Sequence, residues 1–144
     1  TLSQIDTFCQ DLNVLYIKIG VYTSNLVNID TTRVSSGGPY KRKIVKNCRG
    51  GFCQVVVDQS PPIIKYEADH VDANENGYVA YPNIKKAYEE ADIKRWSSVY
   101  EYVVVKNSPL PKDFFLKDPR AKNCFDKYPE VNERHNYKRY LGRD

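Results

Sequence analysis

Asn25-Leu-Val-Asn28-Ile-Asp30-Thr31-Thr32-Arg33-Val-Ser-Ser-Gly37-Gly38-Pro39-Tyr40-Lys41-Arg42-Lys43 divides the chain into two kinds of sequence. Before it, apolar residues recur every third or fourth position; after it, they alternate with polar ones. Asn28, Asp30, Thr31 and Thr32 carry short polar side chains that bond to nearby backbone and so compete with a continuing helix. The helix is expected to stop here. Gly37, Gly38 and Pro39 then combine free φ, fixed φ and a missing N–H, which predicts a turn feeding a strand over Tyr40 to Val45.

Upstream, Ile5, Phe8, Cys9, Leu12, Leu15, Tyr16, Ile19, Tyr22 and Leu26 fall on one helical stripe, which predicts a helix from Ser3 to Val27. Ser3 suits the N-cap, with Asp6 adding negative charge in the first turn. Val14, Ile17 and Val21 lie off that stripe, so the helix needs cover on more than one side. Two roles fit it. It is either a core helix, or it uses Ile5, Phe8, Leu12, Tyr16, Ile19 and Leu26 as a face for packing against other copies.

Downstream, Tyr40, Ile44 and Val45, then Val55 to Val57, Ile63 to Tyr66 and Tyr78 to Tyr81, read as three or four short strands of a small antiparallel sheet between Pro39 and Tyr81. Cys48-Arg-Gly-Gly-Phe-Cys53 places a Gly-Gly pair at a hairpin tip with two thiols facing each other across it. Asp72, Asn74, Asn76 and Gly77 match the first half of a calcium-binding EF-hand loop. The twelfth position is Asn83 rather than Glu, and Pro82 opposes a helix at that register. A metal-free turn between strands is the simpler expectation. Pro82 and Asn83 then lead into a second helix, expected from Asn83 to Val104, whose partial stripe is Ile84, Ala87, Tyr88, Ala91, Trp96, Val99 and Tyr100. Pro109, Pro111, Pro119 and Pro129 forbid one long helix after Asn107, because proline inside a helix costs about 3 kcal/mol. Asn132 to Asp144 reads as a solvated tail.

The chain of 144 residues is the size of a single domain, and its formal net charge of +4 argues for neither nucleic acid nor an anionic membrane. No apolar run is long enough to span a bilayer, so no membrane insertion is expected. A chain beginning at Thr1 without any Met is what leader cleavage or trimming would leave. The two His, His70 and His135, are far apart, no glycine-rich phosphate loop follows a strand, and no zinc-protease motif occurs. Catalysis, a metal and a cofactor are therefore not expected. Four Cys allow three pairings and read as two disulfides, which points outside the cytoplasm.

The joint resembles the corresponding segment of bacterial flagellar basal-body proximal rod proteins of the FlgC type. The resemblance rests on Asn25 and Asn28, Thr31 and Thr32, Arg33, and Gly37-Gly38-Pro39-Tyr40 with the basic residues after it. It returns in order at His70, Asp72, Asn76-Gly77-Tyr78 and Tyr81-Pro82-Asn83, is looser at Tyr100-Glu101, and fails after Asn107. It implies an α+β fold made of an N-terminal helix (1–30), a β region (37–82), a second helix (83–105) and an irregular tail (106–144). It also implies a non-catalytic structural protein in the periplasm, or otherwise outside the cytoplasm, with flagellar basal-body proteins as partners. In that family the terminal helices pair in the rod. Because a long C-terminal helix cannot form here, the tail is expected to cover the first helix through Cys9–Cys124, with Cys48–Cys53 closing the hairpin. The alternative expectation is a monomeric extracytoplasmic binding module derived from such a protein, with a periplasmic protein partner.

Overall fold

A computed structural model describes residues 3–136, and within them the fold is α+β. Helix α1 runs Gln4–Val27; the Ser3 hydroxyl accepts the Asp6 N–H at its start, and Asn28 closes its end. Strands β1 (Lys43–Arg49) and β2 (Phe52–Val57) form one antiparallel hairpin, and β3 (Ile63–Tyr66) and β4 (Tyr78–Tyr81) form another. The expected single small sheet is thus two separate ladders. The β1 strand also begins later than expected: Tyr40 is buried ahead of it, and pairing starts at Lys43 with Val57.

Helix α2 spans Lys86–Tyr100 and passes into a π-helical segment, Glu101–Lys106. It starts three residues after Asn83. That side chain does not cap the helix; its amide donates to the Pro61 carbonyl at 2.9 Å and ties the chain after β4 to the chain before β3. In its first half the face that α2 turns inward differs from the stripe read in the sequence, whereas Trp96, Val99 and Tyr100 farther along are half-buried as that stripe has them. Ala87, Tyr88 and Ala91 are exposed, whereas Glu89 is completely buried. Charge sets this phase: Glu89 pairs with Arg42 and reaches Asn25 of α1, and no apolar residue at position 88 could satisfy those groups.

The segment after Asn107 is not one helix, as its prolines require, but neither is it structureless. It contains α3 (Phe114–Lys117), α4 (Ala121–Lys127) and α5 (Pro129–His135). Pro111, Pro119 and Pro129 each precede or open one of these helices, since the first helical residues have no intrahelical acceptor for an N–H and lose nothing when it is missing. Asn132 to His135 belong to α5 rather than to a solvated tail; residues 137–144 of that stretch lie outside the described residues.

Phe8, Cys9, Leu12 and Tyr16 of α1 form the main core with Cys124, Tyr128 and Val131 of the C-terminal segment. Ile5, Tyr100, Val104, Leu110, Phe115 and Phe125 pack around it. Disulfides join Cys9 to Cys124 and Cys48 to Cys53. The sequence separation of 115 for the first bond, against 5 for the second, makes it the major covalent constraint on the unfolded chain.

Candidate functional site

Two constellations organise the molecule, one at the joint and one along the first half of α1. At the joint, Asn25 is fully buried. Its Oδ1 accepts the Lys43 N–H at 2.9 Å while its Nδ2 donates to the Lys43 carbonyl at 2.8 Å. A side-chain amide here copies the pattern of a neighbouring strand and anchors the start of β1 to the end of α1. The Tyr40 hydroxyl donates to the same Oδ1 at 2.9 Å, and Asn25 Nδ2 also reaches Glu89 at 3.3 Å. Arg42 bridges Glu89 and Asp58, so one buried carboxylate ties α1, α2 and the first hairpin together.

Asn28 and Thr31 hold the turn that follows. Asn28 Nδ2 donates to the Ser24 carbonyl and its Oδ1 accepts the Thr31 hydroxyl, while the Tyr40 N–H returns to the Thr31 carbonyl. Gly37 and Gly38 close the loop through bonds with Val34, and Pro39 lies half-buried before Tyr40. Thr32 donates to Asp72 at 2.7 Å and Arg33 pairs with the same carboxylate at 2.9 Å, so the joint also grips the loop between β3 and β4. Within that loop Asn74 Oδ1 accepts the N–H groups of Asn76 and Tyr78, and His70 Nδ1 accepts the N–H of Asp72. Gly77 has φ +86°, and an added Cβ would lie 2.7 Å from the Tyr66 ring. Asn74 therefore spends its oxygen on the loop backbone and Asp72 Oδ2 on Thr32, while the buried Asp72 Oδ1 faces Arg33 without accepting a hydrogen bond; among the described residues no three His, Cys, Asp or Glu side chains cluster as a metal site. Pro82 is buried at the end of β4.

Along α1, Phe8, Leu12 and Tyr16 are at most 6% exposed, and Ile5, Ile19 and Leu26 are half-buried. The C-terminal segment covers the first three. The Tyr128 hydroxyl donates to Asp6 at 3.1 Å, and the Tyr16 hydroxyl bonds His135 Nε2, whose ring stacks on Phe115. Burial, and secondarily the charge of Arg134, hold the His135 pKa below its usual value. On the α2 side, Lys18 Nζ sits 3.5 Å from the centre of the Trp96 ring; burial and then Arg95 lower its pKa.

Asn13 was not among the residues singled out by sequence, yet it is central. It is fully buried, its Nδ2 donates to the Gly51 carbonyl at 2.7 Å, and its Oδ1 accepts the N–H groups of Glu130 and Val131 at 2.9 and 3.2 Å. Tyr128, at the N-cap of α5, has no side-chain acceptor for those amides. Asn13 thus caps α5 from another helix. Gly51 must be glycine to allow this: its φ is +92°, and an added Cβ would lie 2.7 Å from the Tyr128 ring and 3.2 Å from the Gln10 Cα. The sequence signal was available, since Asn13 lies four residues from Cys9 and three from Tyr16, inside the buried stripe. Glu89 gave no such signal, because its partners are distant in sequence.

No family model matches this chain. It is similar to the flagellar basal-body rod protein FlgC of Borreliella burgdorferi (strain ATCC 35210 / DSM 4680 / CIP 102532 / B31), with 26% identity over 126 residues, covering 69% of this chain and 83% of that protein.

Proposed function

We propose that this chain is a non-catalytic structural protein of the flagellar basal-body type, working outside the cytoplasm through contacts with other basal-body proteins. The observation that carries the proposal is the similarity to FlgC, which extends over most of that protein's length. The geometry agrees with a mechanical role. The conspicuous buried polar groups, Asn13, Asn25 and Glu89, join one structural element to another. His70 and His135 are likewise engaged in internal bonds. The test is to tag the protein in its source bacterium and isolate basal bodies. Co-purification with the rod fraction is expected; recovery only in the fraction free of basal bodies would reject the assignment.

A second reading has a specific observation in its favour. Phe8, Leu12 and Tyr16, which a rod subunit would offer to neighbouring helices, are covered by the chain's own disulfide-linked segment. A monomeric accessory module would have this arrangement. Light scattering separates the two: a concentration-independent monomer supports the accessory module, and ordered oligomers support the rod subunit.

A further inference from the structure

We propose that Cys48–Cys53 is a thiol–disulfide exchange site for dithiols, and that its redox state sets how firmly Asn13 clasps the C-terminal segment. This goes beyond the assembly role and does not depend on it. The two disulfides differ sharply in access. Cys9 and Cys124 are 0% and 3% exposed inside the core, whereas Cys48 is exposed and Cys53 half-buried at a hairpin tip. They differ in charge as well. The hairpin from Lys43 to Val57 carries Lys43, Lys46 and Arg49 and no carboxylate, with Lys46 and Arg49 flanking Cys48. In the groove that Cys53 lines, Glu130 offsets Lys43, whereas no carboxylate of the hairpin offsets Lys46 and Arg49 beside Cys48. An anionic thiolate is therefore drawn to the Cys48 side.

The exchange balances with a dithiol alone. Its thiolate bonds to Cys48 Sγ, the Cys48–Cys53 bond breaks, and Cys53 leaves with the electron pair and takes up a proton. The second thiol of the reagent, losing its proton, attacks its own mixed disulfide and releases Cys48, so the dithiol is oxidised and the hairpin reduced. The bond closes a loop with a sequence separation of only 5, so the fold is expected to survive its loss. The tip it pins includes Gly51, whose carbonyl accepts from Asn13, and Asn13 accepts the amides of Glu130 and Val131. Those amides sit in the first turn of α5 and lack an intrahelical acceptor, so their protection reports on the clasp directly.

The intact chain is titrated with dithiothreitol under native conditions, alkylated and mapped by mass spectrometry, with hydrogen exchange followed at Glu130 and Val131. Cys48 and Cys53 are expected to label at about tenfold or more lower reductant than Cys9 and Cys124, and exchange at these two α5 amides should rise while α1 stays protected. Replacing both Lys46 and Arg49 by Gln should slow the labelling, and Cys48→Ser with Cys53→Ser should reproduce the amide exchange without reductant. Labelling of all four cysteines together, or of Cys9 and Cys124 first, overturns the exchange site. Unchanged protection of Glu130 and Val131 in the double serine variant overturns the coupling.

Discussion

Asn13 shows how much one side chain can carry when it is buried and fully bonded. It contributes a donor to the hairpin and an acceptor to α5, so removing it strands the Gly51 carbonyl and two helix-terminal amides together. Asn13→Ala is expected to cost about 3 kcal/mol, because unmatched buried groups pay their desolvation in full. Asn13→Asp keeps an acceptor for α5 but places an unpaired carboxylate at a fully buried site against the Gly51 carbonyl, so its loss should be at least as large. Urea melts of the two variants give the ranking, and an aspartate variant clearly more stable than the alanine would show that the cap on α5 outweighs the buried charge. Gly51→Ala tests the same contact from the other side and should destabilise by about 2 kcal/mol through its positive φ and the Tyr128 ring.

At the scale of elements, α2 and α5 are placed by polar contacts, each with its own sensitivity. Arg42 and Glu89 fix which face of α2 meets α1. Arg42→Ala leaves a fully buried carboxylate unpaired and should cost about 3–5 kcal/mol, measured by denaturant unfolding. Replacing Glu89 by Leu in that background should recover part of the loss, since the charge that needed a partner is gone. For α5, burial and then Arg134 depress the His135 pKa in the folded chain, so the unfolded chain binds the proton more readily. Stability from the neutral ring is full above the ordinary histidine value of about 6.5 and declines as pH falls from there through the lower folded value. Thermal melts from pH 8 to 5 should show this decline. His135→Phe should flatten it; an unchanged slope in that variant would assign it to other groups.

For the whole molecule, the question is what keeps α1 covered. Its first half meets the C-terminal segment and the hairpin tip at Gly51, its second half meets α2 and the start of β1, and Cys9–Cys124 is the covalent tie to the C-terminal segment. Closing so long a loop stabilises by up to about 4.7 kcal/mol on the chain-entropy estimate. Cys124→Ser is therefore expected to lower the melting temperature, loosen the segment after Asn107 and promote self-association through Phe8, Leu12 and Tyr16. Size-exclusion chromatography with light scattering over a range of concentrations measures this. A variant that remains monomeric would mean that Asn13, His135 and the aromatic packing hold the cover without the bond.

Local chemistry is legible in a sequence, and here it determined the long first helix with its Ser3 cap, the break at Asn28, the Gly-Gly hairpin between Cys48 and Cys53, and the α+β class. Periodicity, caps and turn residues act within a few positions of one another, so they can be read without knowing what lies across the fold. The tertiary structure alone decided which face the first half of α2 turns inward, that the proline-rich segment forms short helices, and that Asn13 caps one of them. Each depends on partners dozens of residues away: Arg42 for Glu89, Gly51 for Asn13, Tyr16 for His135. A buried polar group goes where its partner is. Its own neighbourhood in the chain, Ala87 and Tyr88 beside Glu89 for example, points to a different face.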